Sequence, residues 1–241
     1  MSIPKSQSGP DPFPPTRWSV LNAAAGDATA RTEALADLGL RYGGALFAVA
    51  RRRGASLHDA EDAVQAFFTK VAADPRFFEG LDPARGRFRA FVRTAFDRFL
   101  ANLHEAASAE KRGRGKIVPL DIAAAEQASG HLPTEPDAAF ERAWAEAVVR
   151  KASARWRDAR DADGRGAETP AIAAYLTPGA TPLPLSEAAA MHGLTAPQLK
   201  SLIHRARVEF RALVRAELAA EGTSAEDMDA EVAALTEALL K

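Results

Sequence analysis

Apolar residues recur along most of the chain at steps of three and four, and no stretch alternates at period two for long. That spacing predicts helices throughout and an all-α fold. Leu35, Leu38, Tyr42, Leu46 and Val49 form one stripe, which predicts a long helix to about Arg53 after a short one around Trp18–Ala25. Gly54 stands just past its end, where a left-handed residue costs least, and Ser56 is placed to cap the next helix with Asp59 in its first turn. Ala60, Val64, Phe67 and Val71 carry that helix to about Ala73, and Asp74-Pro75 stops it. A further helix is predicted from Phe88 to about Glu110. Its Phe88, Phe91, Ala95, Phe99 and Leu103 have the spacing of a buried stripe, with Arg89, Arg93 and Arg98 set between them.

Residues 113–135 break the pattern. They are rich in Gly, Pro, Ala and small polar residues without a sustained period, which predicts a flexible linker between two helical domains, 16–112 and 136–220. Residues 1–15 carry five prolines and predict a disordered arm. In the second domain Phe140, Ala143, Trp144, Ala147 and Val148 form a stripe, and a loop at Asp161–Gly166 and a short helix at Ala171–Leu176 follow. Residues 221–241 predict a helical extension that is acidic outside and apolar at Met228, Val232, Leu235 and Leu239.

The most informative local pattern is Leu185–Arg211. A short helix ends at Gly193, Leu194 plugs the turn, and Thr195 can cap a second helix with Pro197 in its first turn. Leu199, Ile203, Ala206, Phe210 and Leu213 face inward. Gln198, Lys200, Ser201, His204, Arg205 and Arg207 face outward. This is the layout of a helix-turn-helix, whose second helix lays polar residues into the major groove, where Lys, Arg and Gln contact base edges or phosphates. The alternative is a helical hairpin with a solvated basic face.

Charge sharpens the picture. The chain carries 31 basic and 32 acidic residues and a net charge of −1, but the signs are unevenly spread. Arg85–Lys116 holds nine basic residues against three acidic, Gln198–Arg215 five against one, and Glu217–Lys241 one against seven. Two basic blocks in a neutral chain point to polyanion contact at two places without strong long-range attraction. The absence of cysteine excludes disulfides and thiolate chemistry, and the five histidines form no metal-binding pair. His58–Asp62 is better explained by acids favoured in a helix's first turn than by a metal site. No metal, cofactor or catalytic constellation is expected, so the chain is not expected to be an enzyme. No apolar run approaches a membrane span, so a cytoplasmic location is expected.

Taken in order, Thr16–Leu21, Arg52–Phe68, Arg85–Asn102, Lys111-Arg112-Gly113, Phe140–Trp144 and Leu185–Arg207 resemble an extracytoplasmic-function sigma factor of bacterial RNA polymerase. The ordered set covers nearly all of Thr16–Ala220; Ala188 is smaller than the aliphatic residue usual there. The resemblance implies a promoter-specificity subunit that binds core RNA polymerase and directs initiation by recognising and melting promoter DNA, with an anti-sigma regulator as a further partner. Asp59, Asp62, Gln65 and Phe68 would dock on the polymerase. Arg89, Arg93, Arg98, Asn102, Lys111 and Arg112 would hold the melted minus-ten element. Gln198, Lys200, Ser201, His204 and Arg205 would read the minus-thirty-five element. Two rival readings are a free-standing helix-turn-helix regulator and a polymerase-binding protein that has lost promoter reading. The pI of about 6.5 favours affinity borrowed from a larger machine over an independent DNA binder.

Overall fold

A computed structural model describes residues 28–74, 77, 87–111, 138–177 and 180–240; the N-terminal arm, the Trp18–Ala25 helix and the 113–135 linker lie outside them. Among the described residues eight α-helices follow one another: α1 Ala28–Arg52, α2 Leu57–Ala73, α3 Phe88–Lys111, α4 Ala138–Ala162, α5 Thr169–Ala173, α6 Leu185–Met191, α7 Ala196–Ala220 and α8 Met228–Leu240. No strand is present among the described residues. The fold is all-α.

The first three helices pack around phenylalanine. Phe67 of α2 meets Phe77, Phe96 and Phe99 edge-on with ring centroids 5.2–6.1 Å apart, the geometry that places the positive edge of one ring on the negative face of another. The stripe of α3 is buried at Phe88, Phe91, Ala95 and Phe99 and emerges at Leu103. Ser56 caps α2 by accepting from the Asp59 backbone N–H at 3.1 Å, and Gly54 turns the chain at φ 90°.

Helix α4 is the central element. Phe140, Trp144, Val148, Ala152 and Trp156 bury one stripe, and Ala145 and Val149 widen it enough to serve several neighbours. Its most extensive partner is α1, followed by α7 and α8. Segments 16–112 and 136–220 are therefore in contact along α1 and α4 rather than joined by chain alone. Helix α8 lies on α4 and α7 with Met228, Glu231 and Leu235 buried.

The α1–α4 seam is polar at its centre. Arg41, 3% exposed, donates to Glu221 Oε1 at 2.7 Å and to Glu217 Oε2 at 2.5 Å, both near the end of α7. Trp144 Nε1 donates to the other Glu221 oxygen at 3.1 Å, and Arg155 donates to Glu217 at 2.8 Å. Burial opposes the charge on Arg41, but Glu221 and Glu217 outweigh it and raise its pKa above the ordinary arginine value. Burial likewise pushes the Glu217 carboxyl upward, yet the hydrogen bonds from Arg41 and Arg155 prevail and hold it below the usual range.

Candidate nucleic-acid interface

The basic helix α7 is positioned by a tight turn after α6. Gly193 adopts φ 66°, and the Leu194 N–H donates to the Ala189 carbonyl at 2.8 Å, closing α6. Thr195 then caps α7: its side chain accepts from the Gln198 backbone, and Gln198 Oε1 accepts from the Thr195 N–H at 2.8 Å. A Cβ at position 193 would meet open space, so Gly193→Ala brings only the strain of a left-handed backbone. A loss of about 1–2 kcal/mol is expected, measured by denaturant unfolding.

Leu199, Ile203, Ala206, Phe210 and Val214 fix the inner face of α7, and Val214 takes a deeper place than Leu213. Lys200, Ser201, His204, Arg205 and Arg211 stand exposed on the outer face, together with Val208. Two sequence-predicted residues of this face are already engaged. Gln198 is exposed, but its amide oxygen serves the capping box, and Arg207 donates to the Tyr175 carbonyl at 3.3–3.4 Å. On the inward side Glu209 accepts from Trp156 at 3.2 Å and Arg165 at 3.0 Å, which fixes the rotation of α7 against α4.

The arginines of α3 have diverged in environment. Arg89, expected on a DNA-binding surface, is 6% exposed: its guanidinium lies over the Trp144 ring at 4.2 Å and bonds to Glu141 and Glu231. That expectation does not hold for the conformation described, because carboxylates from α4 and α8 enclose the group. Burial disfavours its charge, and Glu141 and Glu231 more than compensate, raising its pKa. Arg93 is half-buried, 3.6 Å from Asp97 and over Phe140 at 5.8 Å. Arg98 and Asn102 are half-buried, Lys111 ends α3, and Arg112 lies outside the described residues.

On α2, Asp59, Asp62 and Gln65 are exposed on a surface with Ala66, while Phe68 is half-buried against Phe67 at 5.5 Å. Asp59 is committed to the helix cap, its carboxylate accepting from the Ser56 hydroxyl at 2.6 Å. Asp62 and Gln65 thus remain the outward polar groups of that face.

The structure also brings in Glu231, which no local sequence signal singles out. Arg87 lies 3.0 Å from Glu231, which is also bonded to Arg89. The opposite charges of Arg85–Lys116 and Glu217–Lys241 were the available signal. Among the described residues no group of His, Asp and Glu could hold a metal ion, and no helix is long and apolar enough to cross a membrane. No protein family matches the chain, and neither a curated protein nor a solved structure does.

Proposed function

We propose that the chain is a sigma factor of the extracytoplasmic-function type, a promoter-specificity subunit without catalytic activity of its own. The observation that carries this reading is the α6–Gly193–α7 pair with Lys200, Ser201, His204 and Arg205 exposed in one row. In this reading the pair is a helix-turn-helix, α7 enters the major groove at the minus-thirty-five element, and its cations contact base acceptors and phosphates. Asp62 and Gln65 on α2 are the docking groups for core RNA polymerase. Residues 16–112 and 136–220 act as two DNA-reading units joined by 113–135. The likeness of the ordered sequence segments to that family supports the assignment, and an anti-sigma regulator is a compatible partner.

Run-off transcription with core RNA polymerase over a random promoter library is the test. Promoter-directed transcripts are expected only when the chain is present, and the double charge reversal Lys200→Glu, Arg205→Glu should lower them at least tenfold, since each lost contact is worth about 1–3 kcal/mol. Undiminished transcription by that variant would remove α7 from promoter reading. The second reading, a free-standing regulator, is favoured by the close packing of α1 on α4. It predicts tight, sequence-specific binding of duplex DNA by the chain alone.

A further inference from the structure

Carboxylates from the last quarter of the chain close over arginines of its first half. Glu231 of α8 has a side chain 1% exposed; one oxygen lies 3.0 Å from Arg87 Nη2, and the other is bonded to Arg89 Nη1. Glu141 takes the remaining side of Arg89 at 3.1 Å. On α1, Arg41 is held in the same way by Glu217 and Glu221. A carboxylate and a phosphate make the same demand on a guanidinium, presenting paired anionic oxygens to its planar donors. Glu231 and a DNA phosphate therefore compete for the same two donors, Arg87 Nη2 and Arg89 Nη1.

We propose that α8 is a built-in competitor for DNA: Glu231 occupies Arg87 and the Nη1 side of Arg89 in a closed state, and displacement of α8 frees Arg87 and that side of Arg89 for single-stranded DNA, while Glu141 keeps its hold on Arg89 Nε. The inference rests on the reading that assigns Arg89, Arg93, Arg98 and Asn102 to the melted minus-ten element, which Arg87 adjoins in sequence. Two features make the contact exchangeable. A buried ion pair gains little net stability over its desolvation cost, so an equivalent anion can replace one partner. Arg87 is 54% exposed on its side chain, which gives an incoming phosphate a first foothold beside the enclosed Arg89. Helix α8 also keeps a route of departure, since its attachment combines one short apolar stripe with these ion pairs and the surface pair Arg215–Asp229 at 2.5 Å.

The chain has no cysteine, so Leu103→Cys on α3 and Leu240→Cys on α8, both exposed in the wild type, accept a donor and an acceptor dye uniquely. A short single-stranded DNA oligonucleotide at low salt is the probe. Its binding to the full-length labelled chain is expected to lower energy transfer. Glu231→Gln should lower transfer without DNA and tighten oligonucleotide binding about tenfold, the gain expected when a closed state holds roughly nine-tenths of the population. Binding with unchanged transfer, Glu231→Gln binding no tighter than wild type, or no binding by either chain would overturn the competitor. If circular dichroism shows Glu231→Gln unfolded, the coupling of transfer to binding in the wild type decides alone. Run-off transcription separates the two proposals: its failure with these results intact removes only the sigma reading, and its success without them removes only the competitor.

Discussion

Arg41→Met is expected to lower stability by about 3–5 kcal/mol, the usual cost of removing one partner from a buried ion pair. The variant leaves Glu221 with the Trp144 N–H, and Glu217 with Arg155 and Lys151, so two buried carboxylates lose their nearest countercharge. For a chain of this size the loss corresponds to a fall of about 6–20 °C in melting temperature. The penalty also carries a pH signature. Glu217 titrates lower in the folded protein than unfolded, so its stabilising contribution is complete above the ordinary glutamate value and is lost as pH falls through the folded value. The gap between wild type and Arg41→Met should therefore be widest near neutral pH and shrink in acid. Equal penalties at pH 7 and pH 3 would mean that packing, not charge, makes the Arg41 contact important.

Trp144→Ala should cost a comparable 3–5 kcal/mol for a different reason. The indole of α4 is fully buried between Glu221 and Arg89 of α3, and its removal opens a cavity that surrounding helices fill only in part. It also takes away the donor to Glu221 and the aromatic face under Arg89. Because Arg41 and Trp144 share Glu221, the double variant should depart from additivity by about 0.5–3 kcal/mol. Denaturant unfolding of the two single variants and the double variant measures that coupling. Strict additivity would show that Glu221 does not link them.

The helices were legible because their signals are local. Gly54, Ser56 and Asp59 mark the turn into α2, and Gly193, Thr195 and Pro197 mark the turn into α7, each by backbone chemistry within a few residues. The stripes of α3 and α7 likewise announced most of the apolar residues that lie inside, except at their ends, where Leu103 is exposed and Leu213 half-buried. The placement of Arg41 and Arg89 was not legible. A polar residue beside an apolar stripe carries no local sign of the helix that will cover it, and the covering groups here lie 180 and 142 positions away, at Glu221 and Glu231. The opposed charge blocks are visible in the sequence, but nothing in them pairs a particular arginine with a particular carboxylate. Gln198 shows a related ambiguity: the same amide suits a base edge or a helix cap, and its oxygen here serves the cap.

The distance in sequence between those arginines and their carboxylates has a consequence for biosynthesis. At about 5–20 residues per second, Arg41 and Arg89 leave the ribosome on the order of ten seconds or more before Glu221 and Glu231 are made. Through that interval the first three helices carry cationic side chains whose final surroundings do not yet exist. The nascent N-terminal half must keep these groups hydrated and can take up its finished interior only when the last helices arrive.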